Sequence, residues 1–165
     1  MLLDLHEIIN IPGGSVPFEY EPDFSGLSFE SVKAIRPGAK AAGRVENHAG
    51  MLVLTAELDV MLDCICARCL KEFERPVRQH VEAVLAADCE STDDPDIFPL
   101  DGDYIDVDEV VTTAFVLNMD QRFLCREDCK GLCEKCGKNL NDGPCECKAE
   151  IDPRLAVLGQ LLEKE

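Results

Sequence analysis

Residues 52–85 read LVLTAELDVMLDCICARCLKEFERPVRQHVEAVL. The even positions carry Leu52, Leu54, Ala56, Leu58, Val60, Leu62, Cys64 and Cys66, whereas the odd ones include Thr55, Glu57, Asp59 and Asp63. Side chains of a strand alternate between two faces, so this period of two describes a strand with one buried face. After Cys69 the apolar phase passes to Phe73, Val77, Val81, Ala83 and Leu85, opposite Glu72, Glu74, Arg78, His80 and Glu82. The two runs predict one antiparallel hairpin. With Ala67 and Arg68 as a two-residue turn, Leu62 faces Phe73, Leu58 faces Val77, Leu54 faces Val81, and Cys66 comes beside Cys69 on the core-facing side. Ala-Arg is a poor tight-turn pair, which leaves a longer loop as the alternative.

Upstream, GAKAAGRVENHAGM reads as a further strand turning at residues 47–50, and LSFESVKAI alternates well enough for another. A small antiparallel sheet is expected over residues 1–86, parallel pairing being disfavoured because no long helical crossover intervenes. Downstream the period changes. Val107, Val110, Val111, Ala114 and Phe115 follow helical spacing behind Asp106 and Glu109, which resemble a capping box, and predict a helix over 107–118. Near the end, Asp152 can cap and Pro153 suits a first helical position. Leu155, Leu158, Leu161 and Leu162 then form the stripe of a short amphipathic helix over 153–163.

Charge divides the chain unevenly. Of a formal net charge of −17, residues 85–124 carry −10. Residues 88–103 read as an exposed acidic loop, either a solvated linker or a surface that attracts a basic partner. An acidic surface repels phosphate, so extensive nucleic-acid binding by this chain alone is disfavoured. Asp4 and Glu7 interrupt what a secretory signal would need, and no segment reaches the ~20 apolar residues of a membrane span. The expected address is the cytoplasm, without a membrane partner.

Six of the ten cysteines lie in CREDCKGLCEKCGKNLNDGPCEC, residues 125–147. Reduced cytosolic thiols at such density point to a metal rather than to disulfides. In CEKCGKNL, Cys133 and Cys136 flank a tight turn followed by Gly137, as a zinc knuckle requires. Cys145 and Cys147 can complete a tetrahedron, because alternate residues of an extended segment point the same way. Cys125 and Cys129, at helical spacing, could serve instead. The ferredoxin spacing is absent, and so is the H-x-E of the zinc deaminases. Zn2+ is the expected ion, and a four-thiolate site is closed and structural rather than catalytic. With only His6, His48 and His80 in the chain, and none beside the cluster, Cys-His catalysis has little support. Cys64, Cys66 and Cys69 are a second constellation: half a metal site, a redox dithiol, or small core residues at a hairpin end. Cys89 stands alone.

These segments together carry a resemblance. CARCLKEF, an Asp-rich stretch leading to YIDVDEVV, then CREDCKGLCEKCGKNLNDGPCEC and IDPRLAVLGQLL resemble, in order, the bacterial and plastid DUF177 family. That family is also called YceD, or the large ribosomal RNA subunit accumulation proteins, and the likeness covers residues 45–162. It implies a role in processing or accumulation of large-subunit (23S) rRNA. Family genes commonly neighbour that of a small zinc-ribbon protein of the large ribosomal subunit. Some members have histidines where Cys145 and Cys147 stand here, a natural zinc-ligand exchange, and some lack the cysteine module while retaining the C-x2-C pair.

The expected protein is α+β. A small antiparallel sheet domain over 1–120 carries the acidic loop and one helix, followed over 121–165 by a zinc-knuckle module and a terminal amphipathic helix. Its expected function is that of a non-enzymatic ribosome-biogenesis factor acting on the pre-ribosomal large subunit, with a basic ribosomal protein or precursor 23S rRNA as partner. The alternatives are direct RNA contact around the hairpin end, through Arg68, Lys71, Arg75 and Arg78 with Cys66 and Cys69 beside them, and a thiol redox enzyme using Cys66 and Cys69.

Overall fold

The computed structural model describes residues 1–86 and 97–147. Its strands are β1 (Leu2–Asp4), β2 (Ser15–Tyr20), β3 (Val32–Ile35), β4 (Lys40–His48), β5 (Met51–Ile65), β6 (Glu72–Ala86), β7 (Ile97–Pro99) and β8 (Tyr104–Asp106). The helices are α1 (His6–Ile9) and α2 (Val107–Leu117). The strands form a six-stranded sheet of order β2-β4-β5-β6-β7, in which β3 also pairs with β5, and a separate β1-β8 pair.

The alternating stretch forms the expected hairpin at the centre of this sheet, but in a different register. Cys64 lies across from Phe73, Val60 from Val77 and Ala56 from Val81. The pairing therefore shifts by two residues from the tight-turn expectation, and pairing stops at Ile65 and Glu72. A two-residue shift leaves every side chain on its original face, which is why the apolar pattern could not distinguish the two registers. The turn decides between them. At the other end of β5, His48 pairs with Met51 around Ala49 (φ 56°) and Gly50 (φ 102°), the positive-φ pair of a tight hairpin turn.

One face of the sheet is apolar. Val45, Leu54, Leu58, Leu62 and Val81 are buried against Leu5, which precedes α1, and Ile8 within it, and against Val110, Val111 and Phe115 from α2. Phe115 stacks on Phe24 at 4.5 Å between ring centroids and meets Phe29 edge-on at 5.9 Å. The other face is polar and cross-linked by the ion pairs Arg78–Asp59 and Lys33–Glu72 and by a hydrogen bond between His80 and Glu57.

Helix α2 starts where the sequence predicts it. Asp106 is its N-cap, its carboxylate accepting from the Asp108 N–H at 3.1 Å, and Asn118 closes it one residue earlier than expected.

Two expectations need correction. Within residues 1–86 every strand pair is antiparallel as expected, but the sheet is extended by β7, which runs parallel to β6, Val84 beside Ile97 and Ala86 beside Pro99. Residues 88–103 are not a single loop, since Ile97–Pro99 is a strand whose Phe98, with the following Leu100, packs on the core. These residues form an apolar island in an acidic stretch, and their burial outweighs the surrounding charge. A parallel contact of three residues requires the chain to return only about 10 Å, so no helical crossover is needed. Residues 88–96 of the acidic loop, with Cys89, and the terminal helix over 153–163 lie outside the described residues.

Candidate metal centres

Two turns of the same design carry the cysteines. In the first, residues 66–71 (CARCLK), the Cys66 N–H donates to the Lys71 carbonyl and the Leu70 N–H to the Cys66 carbonyl, each at 2.9 Å. In the second, residues 133–138 (CEKCGK), the Cys133 N–H donates to Lys138 O and the Gly137 N–H to Cys133 O, each at 2.8 Å. The residue after the second cysteine is left-handed in both, Leu70 at φ 59° and Gly137 at φ 70°. Glycine adopts this conformation without steric cost, whereas leucine is strained there. The first turn therefore keeps its shape at a cost that its surroundings offset.

Those surroundings are the segment after α2. Ala67 N–H donates to Phe123 O at 2.9 Å, Leu132 N–H to Arg68 O at 3.2 Å, and the Arg68 guanidinium to Cys129 O at 2.9 Å. Gly131 (φ 75°) passes so near that an added Cβ would stand 3.0 Å from the Arg68 carbonyl oxygen. This docking brings Cys125 and Cys129 onto the hairpin turn.

The result is two four-cysteine groups: an inner one of Cys66, Cys69, Cys125 and Cys129, and an outer one of Cys133, Cys136, Cys145 and Cys147. Within each group all four sulfurs lie within 4.8 Å of one another. The Cys66 and Cys129 sulfurs are 3.7 Å apart, as are those of Cys69 and Cys125, and Cys133 lies 3.4 Å from Cys145. Tetrahedral zinc with Zn–S bonds of about 2.3 Å sets its sulfurs about 3.8 Å apart, whereas a disulfide needs about 2.05 Å. Both groups could hold a metal ion.

The electrostatics fit the same chemistry. Burial alone would push the Cys66 thiol up, but the backbone N–H groups of Cys125, Cys69 and Arg68 bring it down to about 6. The N–H groups of Cys136 and Lys135 likewise lower Cys133 to about 6. Burial, together with hydrogen bonding from Cys69 and Cys66, pushes Cys125 up to about 12. Hydrogen bonding with Cys136 does the same to Cys147, with burial adding to it. Four thiolates cannot share a pocket without a cation, so a bound metal ion would allow all of them to ionise.

The structure brings together two of the expected pairs, Cys133 with Cys136 and Cys145 with Cys147, in the outer cluster. Cys125 and Cys129 do not compete for that site but join Cys66 and Cys69. Sequence reasoning set half a metal site among three options for CARC without finding its other half. Its signal was the shared pattern C-x2-C-x-K at Cys66–Lys71 and Cys133–Lys138. A further contributor, Asn141, was not anticipated: its amide nitrogen donates to the Cys129 sulfur at 3.4 Å. Cys64 is buried in the main core, outside both groups. His6, His48 and His80 are exposed and belong to neither group.

A mixed-sheet α+β protein with two four-cysteine groups that could each hold a metal ion is the class that fold and geometry define. The chain belongs to the YceD family: the family profile described as large ribosomal RNA subunit accumulation protein YceD matches residues 54–162. An uncharacterized protein of Mycobacterium tuberculosis (strain ATCC 25618 / H37Rv) is 31% identical over 130 residues, covering 74% of this chain and 61% of that relative. One from Mycobacterium bovis has the same identity and coverage. The chloroplastic large ribosomal RNA subunit accumulation protein YCED homolog 1 of Arabidopsis thaliana is 35% identical over 68 residues, 41% of this chain and 21% of that protein. The alignments thus span about three fifths of the mycobacterial relatives' length. No solved structure matches the chain. No helix among the described residues is long and apolar enough to cross a membrane.

Proposed function

We propose that this protein is a non-enzymatic ribosome-biogenesis factor that supports accumulation of large-subunit rRNA, with zinc in both cysteine centres. The observation that carries the reading is the family match over residues 54–162, whose description names that process. Two properties of the chain bear on mechanism. A full set of four cysteine ligands leaves no open coordination position, which is the arrangement of structural zinc. A net charge of −17 with a sequence pI near 4.4 repels RNA and attracts basic proteins. The protein therefore acts in the cytoplasm on a basic large-subunit ribosomal protein, shielding its charge before assembly or holding it for delivery to precursor rRNA. Arg68, the first candidate for an RNA contact, has its guanidinium turned to the carbonyls of Glu127 and Cys129, which weakens the direct RNA reading.

An affinity capture of the tagged protein from its host, at two salt concentrations and with or without nuclease, tests this. A basic large-subunit protein that is retained after nuclease and lost at high salt is the expected result. Capture of precursor rRNA alone, abolished by nuclease, would replace the protein-partner mechanism with direct RNA binding. Capture of neither would leave the proposed function without support.

A further inference from the structure

The two cysteine groups differ in how they are built. The inner one joins chain segments more than fifty residues apart in sequence; Cys66, Cys69 and Cys129 are 0%, 6% and 2% exposed, and Cys125 is half-buried. Phe73, Leu124 and Leu132 pack around it as a separate apolar cluster. The outer one draws all four cysteines from residues 133–147, and Cys136 and Cys147 are exposed. No apolar cluster encloses it among the described residues.

Metal leaves a thiolate site chiefly when a competing ligand or proton reaches the metal–sulfur bonds, so the shell around the site governs the rate. Around the inner group the hairpin turn, the Arg68 hydrogen bonds and the apolar cluster narrow that approach to one side, where half-buried Cys125 and buried Cys69 line a small cavity with Lys71 and Asn141. At the outer group Cys136 and Cys147 are exposed, and the turn that holds Cys133 and Cys136 is closed by its own backbone rather than by the sheet.

We propose that the two centres divide the work: the inner group holds its metal as a permanent staple between hairpin and C-terminal segment, while the outer group exchanges its metal with solvent ligands. The outer loop is then the metal-responsive part of the molecule, able to lose and regain its cross-link while the sheet stays folded. This rests on the reading above that both groups bind zinc.

The test uses the full chain loaded with zinc. Metal content is measured first, and release to excess EDTA is then followed with a chromogenic zinc indicator alongside far-ultraviolet circular dichroism. The expected result is two equivalents released in two phases, the fast one at least about tenfold faster and leaving the sheet signal unchanged. The double variant Cys136→Ser/Cys147→Ser removes the fast phase only. Cys125→Ser removes the slow phase and keeps the fast one. Fewer than two equivalents at the outset overturns the two-centre reading and the division with it. Two equivalents leaving together, or a fast phase that survives the double variant, overturns the division while leaving two-centre binding intact.

Discussion

Asn47 is the buried polar residue of the sheet, 2% exposed, and each half of its amide is used. Its Nδ2 donates to the carbonyls of Ile8 and Ile9 at 2.8 and 2.7 Å, and its Oδ1 accepts from Gly50 N–H at 2.7 Å. One side chain therefore ends α1 and clamps the β4–β5 turn. Asn47→Leu leaves those partners without an acceptor or donor and is expected to cost about 3 kcal/mol in urea unfolding. Asp106 works at the start of α2. The N-terminal amine at 2.9 Å, with the Asp108 and Glu109 N–H groups, holds its carboxyl below the usual carboxylate range despite partial burial. Asp106→Ala should destabilise by about 1 kcal/mol at neutral pH. Because the folded pKa is lowered, this stabilisation is present above the unfolded value of about 3.9 and fades as pH falls through the folded one. The gap between wild type and variant should therefore narrow below about pH 4, measured by urea titrations at several pH values.

Among the elements, the two cysteine turns form an internal comparison. They share their hydrogen bonds, but one puts Gly137 and the other Leu70 at the left-handed position. Gly137→Ala should weaken metal retention in the outer loop, by about 1 kcal/mol of turn strain, read as a lower chelator concentration for half-release. Leu70→Gly should do no comparable harm, because it relieves strain that docking against residues 123–132 now holds. The hairpin itself shows how far pattern reading extends. Alternation from Leu52 to Leu85 specified two strands, their common buried face and their antiparallel sense. It could not specify register, since a shift of two residues preserves the face. The six-residue turn, shaped by two cysteines, settles it.

For the whole molecule, the inner group ties the end of the central hairpin to the segment after α2. Cys125→Ser removes one ligand without touching the sheet core. Metal content should fall from two equivalents to one, and amide-exchange protection should drop over residues 66–71 and 124–132. The pairing of Leu54 with Ala83 and of Leu58 with Gln79 should stay protected. Uniform loss of protection would mean that the centre supports the entire sheet.

The sequence by itself determined what local spacing controls: the alternating strands, the capped start of α2, the Cys133–Cys136 turn, the charge that disfavours RNA, and the motifs of the family. Tertiary structure alone decided what depends on distant segments meeting. It shifted the hairpin register, set β7 parallel on the sheet edge, and gave Cys125 and Cys129 to Cys66 and Cys69 instead of to the outer loop. The reason is physical. A turn or a helix start is specified by neighbours along the chain, whereas a site built from residues 66 and 129 exists only after the core between β5, β6 and α2 has packed and placed both ends of it together.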